Sequence, residues 1–166
     1  MKLRPGARKT WLALHLAVSV GWIGGAGVYL ALVLRAMAEP GPALVRSTWA
    51  ALNLIGWWVL VPMALVSVSS GVVLALGTRW GLLRHYWVVI SLVLTVLAAA
   101  VLLAHMGTVS AQAAAAEAGL AEPAGLPSEL LHAGLGLVVL LFVHSLNIFK
   151  PRGLTPIGWR AKNLDR

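Results

Sequence analysis

Four long stretches without a charged side chain constrain this chain more than any motif in it. Between Lys9 and Arg35 there are 25 such residues, and between Arg46 and Arg79 there are 32. His85 to Ala116 adds 32 with histidine counted as neutral, and Leu130 to Phe149 adds 20. A hydrocarbon core about 30 Å thick is crossed by roughly 20 helical residues, so each stretch is long enough to span. Composition agrees, because 60% of residues are hydrophobic and only 11% charged, less than half the charged share of a soluble domain. Lipid offers no partner to backbone polar groups, so the spans must be helices. The expected fold class is all-α, an antiparallel four-helix transmembrane bundle forming one integral membrane domain over residues 1–166.

The spans are placed at about 11–34, 49–76, 86–108 and 130–149. Lys2, Arg4, Arg8, Lys9, Arg79, Arg84, Lys150, Arg152, Arg160, Lys162 and Arg166 then share one side. The opposite side holds Arg35 and Arg46 with Glu39, Glu117, Glu122 and Glu129. Positive residues stay in the cytoplasm, so both termini are expected inside the cytoplasmic cell membrane. The net charge of +8 is mainly an orientation signal with some attraction for anionic lipid, and nucleic acid is not an expected partner. The basic N-terminus precedes an apolar run long enough to span and lacks a small-residue cleavage site, so it reads as a first helix and not a cleaved signal peptide. Trp11, Trp80, Tyr86, Trp87, Phe149 and Trp159 fall near the inner boundary and Trp49 near the outer one, while Trp22, Trp57 and Trp58 lie deeper.

Local signals refine the helices. Ala13, Ala17, Gly21 and Gly25 form a small-residue ridge, widened by Gly24 and Gly27, that lets a helix or cofactor approach closely. Pro62 is expected to kink the second span, with Ser67, Ser69 and Ser70 supplying compensating hydrogen bonds. The alanine-rich stretch from Ala111 to Ala118 predicts an extension of the third helix, broken by Gly119, Pro123, Gly125 and Pro127. Ser128 is the expected cap of the fourth helix. The tail from Lys150 to Arg166 reads as a turn-rich surface segment. No internal repeat and no second soluble domain is evident.

Five histidines carry the functional reading. His15, His85 and His144 lie towards the inner face, and His105 and His132 towards the outer. Imidazoles on neighbouring helices can clamp a b-type haem, and the absence of cysteine excludes disulfides, thiolate metal sites, iron–sulfur ligation and covalent c-type haem. His105 with His132 is the leading pair, because consecutive antiparallel helices bring both to one side. His15 with His144 is the second and requires the first and fourth helices to be neighbours. His132 and His144 are separated by about 18 Å of rise and about 120° around the helix, so one haem fits better than two. Met106 and Met63 are alternative thioether ligands. Asn147 is placed to orient His144, whereas His85 reads as a boundary residue meeting headgroups or a carbonyl. Arg79 and Arg84 are candidates to neutralise a haem propionate.

Other chemistries find less support. There is no HExxH motif, and the spans as placed contain no carboxylate for a zinc or di-iron site, for proton pumping or for transport. A copper site could draw on His105, Met106, His132 and Met63. A serine hydrolase lacks an acidic orienter, and the glycines of the first span make no GxGxxG motif.

A resemblance supplements these readings. The segments His15-Leu-Ala-Val-Ser-Val-Gly-Trp22-Ile-Gly-Gly25, Thr78-Arg79-Trp80-Gly81-Leu-Leu-Arg84-His85-Tyr86-Trp87 and Lys150-Pro151-Arg152-Gly153-Leu154-Thr155-Pro156 resemble small four-helix membrane proteins of unknown function common in actinobacteria. The resemblance covers nearly the whole chain. More distantly, it is similar to the membrane class containing haem-dependent protoporphyrinogen oxidase and the membrane domain of copper-resistance proteins. That class associates a histidine early in the first helix with haem, which matches His15. It also relies on a lysine in or near the third helix, where this chain has Arg84 and His85, so the bundle and haem b carry over and the reaction does not. The expected function is a b-type haem protein in membrane electron transfer, with a quinone or redox protein as partner. The alternatives are a non-enzymatic assembly subunit working with a second copy or another membrane protein, and a small transporter or copper-binding protein.

Overall fold

The apolar runs fold as long helices, each started where proline fits the first turn or where the chain turns sharply. The computed structural model describes residues 3–120 and 125–164. Helix α1 is Pro5–Ala38 and α2 is Pro42–Ile55, which passes through a π-helical turn, Gly56–Leu60, into α3, Val61–Gly77. Helix α4 is Tyr86–Glu117, α5 is Leu126–Phe149 and α6 is Pro156–Leu164. Pro5 and Pro42 stand first in α1 and α2, where a missing N–H costs nothing. Lys2, Glu122, Pro123 and Arg166 lie outside the described residues.

Four helical spans, Pro5–Ala38, Pro42–Gly77, Tyr86–Glu117 and Leu126–Phe149, are long and apolar enough to cross a membrane. Less than a third of the most apolar window of each is buried inside the bundle. Leu12, Val20, Val28, Leu97, Val138 and Phe142 all point outward. A surface this apolar suits hydrocarbon and would drive aggregation in water. The chain is an all-α multi-pass membrane bundle.

All four predicted spans exist, but each helix is longer than the span placed for it. The alanine-rich extension of α4 runs to Glu117, as its composition predicts. It ends in a Schellman turn, with Gly119 at φ +77° and the Leu120 N–H bonded to the Ala115 carbonyl at 2.9 Å. The first three spans also start early or end late, and α5 begins at Leu126 instead of 130, the departure that bears on the site. Gly125 holds the cap position and Ser128 is already inside the helix, so the predicted serine cap does not form.

Around the bundle, α1 packs on α3 and α5, and α4 packs on α2, α3 and α5, which closes a ring. Along α1 and α3 and the residues flanking them, Leu3 pairs with Gly77, His15 with Ser70, Ser19 with Ser67 and Gly25 with Leu60 of the π-helical turn. One number rises as the other falls, so these two helices run in opposite directions. The glycine ridge of α1 serves this contact. A Cβ on Gly21 would lie 3.0 Å from Met63 Cε, and one on Gly25 would lie 2.9 Å from Leu60 Cδ2. Side chains of α3 thus occupy the part of the ridge that was a candidate cofactor surface.

Pro62 is accommodated by the wide turn that immediately precedes it, where the missing N–H falls. The serines do not compensate for it. Ser69 Oγ donates to Leu65 O and Ser70 Oγ to Val66 O, because a helical serine reaches back only three or four residues. The wide turn also admits a side chain from α4. A Cβ on Gly56 would overlap both Met106 Sδ and Cε. Gly56→Ala is therefore expected to destabilise the bundle by about 1–3 kcal/mol through overpacking. Adding Met106→Ala should recover part of the loss, which thermal unfolding of the single and double variants in detergent measures.

Candidate functional site

The buried stripe of α5 includes Leu126, Glu129, Leu140 and Val143, so the helical register turns Glu129 inward with the apolar residues. Its side chain is 2% exposed. Tyr29, on the buried stripe of α1 with Trp22, Ala26 and Val33, donates its hydroxyl to Glu129 Oε2 at 2.8 Å. His105 of α4 places Nε2 2.7 Å from Glu129 Oε1. Each carboxylate oxygen thus has a partner from a different helix. A buried carboxylate without such partners would be strongly disfavoured. The first turn of α5 adds the favourable end of a helix dipole.

This corrects the sequence-based placement of Glu129 in an outer loop and the inference that no carboxylate enters the bundle. The argument against proton or solute transfer that rested on that absence falls with it. Tyr29 was not singled out from the sequence either. The signal available for both was their place on the helical stripes that turn out to be buried. Counting charge-free residues hides it, because the count stops at the first charge.

His132 lies beside this network. Its ring stacks on His105 with centroids 4.0 Å apart and planes at 11°. His132 Nδ1 is 2.8 Å from the Ser128 carbonyl, which can only accept, so that nitrogen is the donor. The leading histidine pair does come together, as the helical hairpin predicts. The two rings present their faces to each other, and His105 Nε2 is engaged by Glu129. The proposed thioether ligands serve packing, Met106 against Gly56 and Met63 against Gly21. Among the described residues no group of three or more His, Cys, Asp or Glu side chains is disposed to hold a metal ion.

The network closes one end of a cavity of about 390 Å³ between α1, α4 and α5. Trp22, Leu60, Leu102 and Leu140 line its interior, and the outward-facing Leu97, Val101 and Leu135 line its flank. Its walls are therefore almost wholly apolar, with Tyr29, His105, Glu129 and His132 as the polar exception. The volume lies at the lower end of the roughly 300–1,000 Å³ that holds a small organic ligand. Gly136 is on the wall, and a Cβ there would meet nothing within 4 Å.

The second histidine pair is set differently. The packing of α5 against α1 puts His15 and His144 on neighbouring helices, as that pairing requires. His15 Nδ1 is 2.9 Å from Ser70 Oγ, leaving Nε2 free. Asn147 does not orient His144; its amide donates to Val143 O at 2.8 Å and Ser91 Oγ at 3.3 Å. His85 has the boundary role expected of it, with Nδ1 2.8 Å from the Trp80 carbonyl. Arg79 lies over the Trp80 ring, and the Arg84 stem lies against Gly81. Trp57 and Trp58 face outward instead of packing in the interior, and Trp57 Nε1 donates to Ser110 Oγ at 3.0 Å.

No protein-family model, curated protein or solved structure matches the chain. The site itself defines a class, a multi-pass helical membrane protein with a polar triad buried at the end of an apolar cavity.

Tyr29→Phe removes one donor and should cost about 0.5–1.5 kcal/mol. Glu129→Ala leaves both Tyr29 and His105 unpaired and should cost more. Because the groups share one carboxylate, the double variant should be less destabilised than the sum of the singles, as read by a thermodynamic cycle from unfolding in detergent.

Proposed function

We propose that this chain is a quinone-binding protein of membrane electron transport, held in the cytoplasmic membrane with both termini inside. The observation that carries the proposal is the Tyr29–Glu129–His105 network at the end of an otherwise apolar cavity. A quinone has an apolar ring and tail with oxygen atoms at the ring edge, and it travels in lipid. The flank formed by Leu97, Val101 and Leu135 faces the lipid, which gives such a molecule a lateral route. By exchanging the bonds they make to Glu129, Tyr29 and His105 can offer donors to ring oxygens, and Glu129 so released can accept from a quinol hydroxyl. The orientation rests on charge, since Arg4, Arg8, Lys9, Arg79, Arg84, Lys150, Arg152, Arg160 and Lys162 belong to the end opposite Arg35 and Arg46.

Binding is measured by titrating a short-chain quinone into protein held in lipid nanodiscs, with quenching of tryptophan fluorescence as the signal. Trp22 lines the cavity and supplies a reporter. One saturable site per chain is expected. Gly136→Leu should abolish it while leaving the helix content intact, because the new side chain enters open space. Glu129→Gln with Tyr29→Phe should weaken it about tenfold, corresponding to roughly 1.4 kcal/mol. Absence of saturable binding by folded protein would sink the proposal.

A second reading concerns haem b and is favoured by His15, whose Nδ1 is held by Ser70 while Nε2 stays free. That arrangement suits a histidine that would hold iron. His15 and His144 would hold the group, which when bound supplies one-electron chemistry. Ser70 fixes the ring of His15, and the apolar helices around it exclude water. Protein purified from cells supplied with haem precursor and reduced with dithionite should then show sharp α and β bands. His15→Gln and His144→Gln should each remove them, and His105→Gln and His132→Gln should not. A colourless, folded protein after haem titration would refute the haem reading and leave the quinone proposal standing.

A further inference from the structure

At the end of the bundle opposite the cavity's polar network, two cations converge on one indole. Arg79 Cζ lies 4.9 Å from the centroid of the Trp80 ring, and Lys150 Nζ lies 5.9 Å from it. The indole is a fixed platform. The edge of His85 packs on it at 5.2 Å and Trp87 at 5.4 Å, both nearly perpendicular, while the Trp80 carbonyl receives His85 Nδ1. The chain behind it is braced by the tail, with Thr155 N–H bonded to Arg84 O at 3.1 Å and Tyr86 N–H to Gly153 O at 3.3 Å. Gly158 packs directly on the Arg84 carbonyl, where a Cβ would overlap it.

Lys150 is held there against its backbone preference. It caps α5 at φ 44° and ψ 62°, the left-handed region, and it is the non-glycine residue with positive φ among the described residues. Glycine is the usual occupant of such a position because a Cβ is disfavoured there. A residue that keeps backbone strain at this point is a candidate for a task performed by its side chain.

Neither cation has a carboxylate within salt-bridge distance among the described residues. The ion pairs found there, Arg35–Glu39 and His105–Glu129, both lie at the other end of the bundle. Asp165, the acidic residue of the tail, is outside the described residues. Cations gathered on one ring repel one another unless an anion lies between them. Immediately before Lys150, Ile148 and Phe149 are exposed, with Phe149 at 81%. Helix α6 adds exposed Ile157 and Trp159, the latter beneath Lys162 at 5.5 Å. Apolar side chains thus sit beside the basic groups at the level where a span leaves the hydrocarbon.

We propose that Arg79, Lys150 and Trp80 form a binding site for the phosphate of an anionic phospholipid. The guanidinium and ammonium groups hold the phosphate, and the acyl chains run along Ile148 and Phe149. The apolar neighbours select a phosphate carrying acyl chains over free phosphate. The site is independent of the quinone cavity, since it uses none of the same residues.

The test titrates phosphatidylglycerol, phosphatidylcholine and inorganic phosphate separately into delipidated protein in neutral detergent. Retained lipid is counted by native mass spectrometry, and thermal stability is followed in parallel. Phosphatidylglycerol should bind and raise the melting temperature, and the other two should not. Arg79→Gln with Lys150→Gln should weaken phosphatidylglycerol binding about tenfold or more. Arg160→Gln with Lys162→Gln, which removes the same charge from the same end, should change it by less than about twofold. Lys150→Gly separates site from scaffold: it should stabilise the lipid-free protein by relieving the backbone while weakening lipid binding. Equal loss in the two double variants would overturn the proposal in favour of diffuse charge. Equal stabilisation by inorganic phosphate would overturn the assignment to lipid.

Discussion

A carboxylate inside a bundle whose outer surface is hydrocarbon-soluble is the constraint on which the rest of this structure depends. The Glu129 side chain is almost fully buried, so each oxygen must find a donor in the protein. Tyr29 and His105 supply them from α1 and α4, and α5 carries the acid, so one side chain fixes the relative rotation and depth of three helices. The same requirement makes the end of the cavity polar while its walls stay apolar. A stabilising contact and a reactive surface are therefore the same set of atoms. His132 extends that surface outward, being exposed where His105 is partly buried.

Elsewhere the bundle is held by close approach and by short polar contacts, as expected where lipid tails compete equally for apolar side chains. Gly21, Gly25 and Gly56 receive Met63, Leu60 and Met106, which brings backbones together without polar groups. Ser19 with Ser67, His15 with Ser70 and Asn147 with Ser91 add hydrogen bonds between helices along the other half. The π-helical turn reconciles two demands, since it carries Pro62 and opens the groove that Met106 fills. The two ends differ in kind. One is built around buried acid and stacked imidazoles, and the other around Trp80, the basic groups over its ring and a tail tied back onto residues 83–86.

Much of this architecture was legible in the sequence because hydropathy is a property of each residue measured against one solvent. The four charge-free stretches announce the spans, the alanine run announces the length of α4, and a helical hairpin suffices to bring His105 and His132 to one end. The same logic failed at Glu129. A charge ended the fourth stretch in the count, while in the molecule Leu126 and Pro127 start the helix a turn earlier and carry the acid inside. It failed again at the glycine ridge, since small residues announce a close approach without saying what approaches.

What the sequence by itself determined is the class of solvent, the number of crossings and the end that carries positive charge. Only the tertiary structure decided that Tyr29 meets Glu129 across 100 residues of chain, that the imidazoles of His105 and His132 stack face to face, and that closing the ring of helices makes α1 and α5 neighbours. The physical reason is that burial in lipid depends on composition along a helix, whereas a hydrogen bond between helices depends on their rotation and offset. Those are set by how all four helices pack together, and no single segment encodes them.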